Sequence, residues 1–568
     1  MVLELPKNSK DMQDWKWNNY EPFFDYLLNQ ELGEGNIDSW MKYWSDFSEL
    51  IGEVGTDVYV STTIDTTDED AKKRFHTFLE DISENASSKD QLLKEKLLET
   101  GIVPENFDIP LRAIKSEVEM FCKENLPLMT KDSKLSKEYD AIIGAQTVEW
   151  EGKEVTITQL SPVLLETDRE KREKAWRLAA ERRLEDRDEI NKIWQKILEI
   201  RIKIAKNAGY DNYRTWRWEY LKRFDYTPED CLNFHSGIEK VVKPFVNKLI
   251  KERKEQLGLD VLKPWDLSVD TFNRDPLTPF KDASELEEKC HNIFEAVDVD
   301  LGNHFSIMRD QKLLDLANRK GKAPGGYCTE YYHRRLPFIF MNAVGTHSDV
   351  QTMLHEGGHA FHVFESSQLP YASQREVGME FAEVASMSME LLAAPYITEN
   401  HGGFYNSNDA NRARIEHLEK SIMFWPYMAV VDGFQHWAYT NPEDAINPAN
   451  CDAQWTKLWK RFQTFDDLDS TEFEDIIATG WHNKLHLFHV PFYYVEYGMA
   501  QLGAIQVWGN ALKNQKKAVE KYRCALSLGG NATLPELFEA AGTKFAFDEE
   551  MLTYAVNLID SQIKELNQ

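Results

Sequence analysis

His355 and His359 stand four residues apart with Glu356 beside the first, and that spacing has a use only on a helix. Four residues are separated by about 40° around an α-helix and roughly 6 Å along it, so both imidazoles can reach one metal ion. Glu356 then lies next to the fourth coordination position, where it can take a proton from a bound water. The stretch His355-Glu356-Gly357-Gly358-His359 matches H-E-x-x-H, the zinc-binding helix of many metallopeptidases.

The flanking residues supply a strand-to-helix context. Pro337-Phe338-Ile339-Phe340-Met341-Asn342-Ala343 reads as a buried strand, and Gly345-Thr346 turns out of it. Ser348 and Gln351 have the spacing of a capping box, which predicts a helix from about Asp349. Val350, Met353, Leu354, Phe361 and Phe364 keep helical spacing beyond it. Gly357 and Gly358 cost about 1 kcal/mol each relative to alanine inside a helix. Close packing of substrate or of a second helix against them would explain the pair. His362 shares the histidine face but lies about 10 Å along the axis from His355, too far to join it on one ion. It reads as wall, or as support behind a ligand.

A third ligand is expected from the next helical pattern, residues 377–392, where Glu383 and Glu390 stand two turns apart on one face. Phe381, Ala382, Val384 and Ala385 surround Glu383, so its carboxylate should be buried, and an unpaired buried charge is costly. A zinc ion offers it a partner. The plainer alternative is a solvated glutamate pair.

These residues resemble the oligoendopeptidase F branch of the thimet-oligopeptidase-like zinc metallopeptidases. His355-Glu356-Gly357-Gly358-His359-Ala360-Phe361-His362 is similar to the family's H-E-x-G-H-x-x-H helix. Its third-ligand helix resembles residues 381–390, which places the zinc carboxylate at Glu383 and puts Glu390 where it can orient a histidine ligand. Near the C-terminus, residues 486–497 resemble the family's H-x-F-x-x-P-F-Y-Y-x-x-Y segment. There the resemblance implies a histidine and tyrosines that contact substrate and the developing oxyanion: His486, Tyr494 and Tyr497. Phe492 and Tyr493 read better as packing, and Pro491 as the start of a new helix. Lys322-Ala323-Pro324-Gly325-Gly326-Tyr327-Cys328 is similar to a family loop ahead of the strand, which an ordinary turn explains nearly as well. The resemblance further implies a mainly α fold, an elongated helical shell around a deep channel, with a small β-sheet beside the zinc helix. It covers roughly residues 165–568 and the first 150 only loosely.

Composition narrows the alternatives. A net charge of −29 without a Lys/Arg block makes nucleic acid an unsuitable partner, and an acidic channel would attract cationic peptides. No run of eighteen apolar residues offers a membrane span, and the first residues lack a signal-peptide pattern. Six scattered cysteines, none in a C-x-x-C pair, read as reduced thiols in a cytoplasmic protein; Cys328 has no nucleophile motif behind it. Helical spacing runs from Ile190 to Gly209, with Trp176, Ala179 and Ala180 continuing it backwards. Residues 150–157 read as a hairpin turning at Glu151-Gly152. It divides residues 1–165, a helical channel wall, from 166–568, a catalytic region.

The expected function is a zinc endopeptidase acting on short peptides. One Zn²⁺ per chain is held by His355, His359 and Glu383, with Glu356 as general base and His486, Tyr494 and Tyr497 near the oxyanion. The strand ending near Ala343 is expected to pair with substrate backbone. A metallocarboxypeptidase and an inactive zinc protein that binds peptides are the competing readings. Peptide preference and oligomeric state are not written in the sequence.

Overall fold

Apolar residues recur at three- and four-residue intervals through most of the chain, and nearly all of those stretches are helical. The computed structural model describes residues 3–319, 321–323 and 325–568. Met1, Val2 and Pro324 fall outside the described residues, so the readings of the first residues and of the 322–328 loop hold only for the rest of those segments.

The predicted hairpin forms as Thr147–Trp150 against Lys153–Thr156, in antiparallel register. Glu151 and Gly152 both take positive φ, 51° and 79°, the turn that matches the twist of paired strands. After it, the helical pattern predicted as continuous is two helices, Arg169–Glu185 and Arg187–Asn207, broken at Asp186. Periodicity carries across the break because Ala175, Ala179 and Ala180 are buried on the first helix as Ile190, Ile193 and Trp194 are on the second.

Packing follows a different boundary from the hairpin. Buried residues from Met12 to Ile114 form a core of their own, whereas Met120, Leu135 and Tyr139 pack into a larger core with Trp194, Trp425 and Trp481. A third core lies on the small sheet and the helices behind it, around Ile339, Phe340, Phe361 and Val384.

That sheet has three strands, in the order Leu314–Ala317, Leu336–Ala343, Tyr327–Tyr331. The apolar strand expected to pair with substrate therefore has neighbours on both edges, one parallel and one antiparallel. Its continuous apolar character records burial on both faces, not exposure to a ligand. Tyr327–Tyr331 is an edge strand, and it lines the cavity described next.

Candidate active site

The strand Leu336–Ala343 ends at a turn in which Gly345 takes φ 96°, and the helix His347–Ser366 follows. Its capping box is Thr346 with Asp349, two residues before the predicted pair: Asp349 donates its backbone N–H to Thr346, whose own N–H is accepted by the Asp349 carboxylate. Both pairs fit the motif; the glycine turn decides which one caps.

Gly358 explains itself by contact. A Cβ there would stand 2.5 Å from Ser386 Cα and 2.6 Å from the Ala385 carbonyl oxygen, so the backbones of His347–Ser366 and Met379–Ala393 touch. At Gly357 the obstacle is the Phe294 ring, with Cζ at 2.5 Å. The contact is with a second helix and an aromatic ring rather than with substrate.

This close approach sets Glu383 opposite the two histidines. Its Oε2 lies 3.3 Å from His355 Nε2 and 3.6 Å from His359 Nε2, and all three ligand atoms fall within 4.8 Å of one another. Such separations suit a first-row ion with bonds of about 2.0–2.2 Å, and two imidazoles with one carboxylate are a donor set that zinc accepts. The set thus fits a catalytic metal that keeps one position open.

Each donor is held from behind. His355 Nδ1 lies 2.7 Å from Glu390 Oε1, and the other oxygen of Glu390 is 2.8 Å from His417 Nε2. Glu383 accepts hydrogen bonds from Ser386 Oγ at 2.8 Å and from the Tyr493 hydroxyl at 2.5 Å. Burial works against both carboxylates, yet the facing histidines and hydrogen-bond donors hold each ionised, down to about 2. Burial pushes His359 down to about 4, which keeps its nitrogen free to coordinate. His355 is opposed by burial too, but Glu383 and Glu390 outweigh it and raise its affinity for positive charge.

Glu356 is buried and borders the same cavity. Burial lifts its carboxyl to about 7, His355 tempering and Glu383 and Glu390 reinforcing the rise. It can therefore exchange a proton near neutral pH. Cys328 lies beside it, but burial and Glu356 push that thiol well up, which disfavours a thiolate. His362 is buried in the cavity wall, with Nε2 unpartnered among the described residues and its basicity lowered by burial to about 3.

The C-terminal segment departs from the sequence reading in three ways. The helix begins at Tyr494, not at Pro491, because Phe492 adopts φ 68° and cannot be helical. Gln435 pins that strained residue by accepting its N–H. Tyr493, read as packing, lines the cavity and supports Glu383. Tyr497 also lines the cavity, its hydroxyl 3.4 Å from His486 Nε2. Tyr494 is buried against Phe424 and Tyr427, one layer behind, with its ring 4.9 Å from that of His486. Burial lowers His486 to about 4, so its ring is neutral at physiological pH.

His355, Glu356, His359, Glu383, Tyr493 and Tyr497 line one cavity of about 1040 Å³, whereas His486 and Tyr494 are not among its lining residues. Its far wall comes from early in the chain, including Met41, Trp44 and Phe107, and its near wall from residues as late as Leu537.

The model of peptidase family M3 matches residues 163–555. An oligoendopeptidase F homolog of Borreliella burgdorferi is 22% identical over 337 residues, 57% of this chain and 54% of its own length. Oligopeptidase PepF of Bacillus subtilis is 22% identical over 333 residues, 57% of this chain and 47% of its own length. The chain thus aligns with about half the length of these curated relatives. A solved structure of PZ peptidase A with an inhibitor is 25% identical, superposes with a TM-score of 0.88, and is covered over 98% of its length by 100% of this chain.

Proposed function

The chain belongs to peptidase family M3, and from that premise we propose that it is a zinc-dependent endopeptidase cutting internal bonds of short peptides. The carrying observation is the His355, His359 and Glu383 cluster set beside buried Glu356 in a recessed cavity. These three residues would hold the ion. Bound zinc supplies a Lewis acid that polarises the scissile carbonyl and makes water a stronger acid.

The remaining work belongs to side chains of this protein. Glu356 takes the proton of the attacking water and passes it to the leaving amine. Glu390 fixes which nitrogen of His355 faces the centre, and His417 fixes Glu390. The Tyr497 hydroxyl, with neutral His486 beside it, is assigned to the developing oxyanion, and Tyr494 to holding the His486 ring. Substrate backbone adds to the outer edge of Tyr327–Tyr331 short of Glu330, whose carbonyl accepts from the Thr56 hydroxyl. A recessed site favours short chains over folded proteins. Among the described residues no helix is long and apolar enough to cross a membrane, and the six cysteines stand unpaired, which supports placing the reaction in the cytoplasm.

A carboxypeptidase needs a cation reserved for the substrate's terminal carboxylate. Lys94, Lys222, Arg223 and Arg375 in the cavity wall are each bound to a carboxylate, and Arg112 lies over the Phe224 ring. Among the described residues Arg112 is thus the one lysine or arginine of the wall left for a terminal carboxylate, and cleavage of an amidated peptide decides between the two readings. A C-terminally amidated peptide should be cut as well as its free acid. Glu356→Gln should keep its zinc, read by metal analysis, and lose roughly 10²–10⁴-fold in turnover. A variant that cleaves normally would remove Glu356 from the role of base.

A further inference from the structure

Besides Glu356 and Asp225, the cavity wall contains a further carboxylate that meets no basic group among the described residues. Glu330 lies on the edge strand Tyr327–Tyr331, and among the described residues its side chain has no hydrogen bond and no basic group within 4.0 Å. Its surroundings leave none to spare. Arg375 and Arg335 both bind Glu49, and Arg334 binds Glu53 and approaches Asp57. Three guanidinium groups thus face four carboxylates, with Glu330 as the surplus. Elsewhere in the wall Lys94 and Lys222 each serve two acids, and Arg112, the wall's arginine without a carboxylate, lies over the Phe224 ring away from this group.

Burial pushes the Glu330 carboxyl up to about 7, with Arg375 opposing and Glu49 adding to the rise. A cation arriving from outside would relieve that cost. Beside it stands Tyr332, 42% exposed although its ring lines the cavity. Although the Tyr332 ring rests on Gly52, part of it stays exposed, and a carboxylate with an aromatic ring nearby can receive ammonium and guanidinium groups.

The position along the strand gives a distance. At Gly326 a Cβ would sit 3.8 Å from Glu356 Oε1, so that end of the segment lies at the proposed base. Glu330 is four residues further, about 13 Å along an extended strand. The Thr56 hydroxyl occupies the Glu330 carbonyl, so a substrate can pair with this edge only short of Glu330, beyond which an extended chain continues at about the same rise per residue. Resting on the endopeptidase reading above, we propose that Glu330 and Tyr332 form a subsite for a cationic side chain of the substrate. The enzyme would then prefer oligopeptides with Lys or Arg about three to five residues from the cleaved bond.

The test uses the zinc-loaded full chain and a set of quenched fluorescent peptides that differ at one position, scanned across both sides of the cleavage site. Each position carries Lys, Arg, norleucine, citrulline or Glu. At one position Lys and Arg should exceed their neutral analogues roughly ten-fold in kcat/KM, a size usual for a partly desolvated ion pair. In Glu330→Gln that ratio should fall to about 1, and in Glu330→Lys the Glu peptide should become the preferred one. Acetylated and free N-termini are run in parallel, since an effect that follows the terminal ammonium instead of the side chain overturns the assignment. An unchanged ratio in Glu330→Gln does the same. Binding of these peptides to Glu356→Gln, with and without Glu330→Gln, separates the two ideas: charge-dependent binding without cleavage by the parent keeps the subsite and sinks the peptidase reading, and charge-blind binding sinks the subsite alone.

Discussion

At the scale of single residues, the centre depends on groups that never touch the ion's position. Glu390 bridges His355 and His417, so removing its charge frees the His355 ring to turn and to change tautomer. Glu390→Gln should lose metal to a competing chelator about 10–100-fold more readily than the parent. Equal retention in the two proteins would reduce Glu390 to a packing role. Sequence reading reached His355, His359, Glu383 and Glu390 because H-E-x-x-H and the paired glutamates are local patterns on helices. His417 was out of its reach, since nothing in residues 407–440 marks one polar position as facing inward. Tyr493 was misread for a different reason: its direction depends on the positive φ of Phe492, a strained conformation that no spacing rule supplies.

At the scale of elements, the site is a product of how closely two helices lie. The backbone of His347–Ser366 rests on that of Met379–Ala393 at Gly358, and this contact sets the span between the histidines and Glu383. Gly358→Ala meets backbone atoms that cannot rotate away, so it should destabilise the fold by about 1–3 kcal/mol or more and reduce metal content together with stability. Gly357→Ala meets the Phe294 ring, which can shift, and should cost less. Thermal unfolding and metal analysis of both variants decide the matter; a harmless Gly358→Ala would mean that the helices are free to separate. The glycines were visible in the sequence, but whether a ligand or a helix filled the space was not. The strand beside them was misassigned for substrate pairing because apolar character reports burial and says nothing about which edge is free.

Across the whole molecule, burial of neutral histidines makes stability depend on pH. His347 is buried against the Tyr405 hydroxyl and lowered by burial to about 4, and His482 is lowered by burial to about 3. Their folded values lie below the unfolded value near 6.5, so protons prefer the unfolded chain at acid pH. Their contribution is fully present above about pH 6.5 and is lost as pH falls toward the folded values. Between pH 6.5 and 5, unfolding free energy should fall by about 1.1 kcal/mol per pH unit on average for each histidine. In His482→Asn the slope from urea titrations should be shallower by that amount, and an identical slope would refute the assignment. The helical class was legible from periodicity over most of the chain. The packing boundary between Ile114 and Met120 was not, because it follows which side chains share a core and leaves no local mark.

One chamber is bounded by Met41 near one end of the chain and Leu537 near the other. A ribosome that has released only the first four hundred residues has already delivered His355, His359 and Glu383, yet Tyr493, Tyr497 and Leu537 of the wall are still to come. The wall of this chamber is complete only once Tyr493, Tyr497 and Leu537 join residues from the first hundred or so, so its full outline is the last part of the site that this polypeptide acquires as it matures.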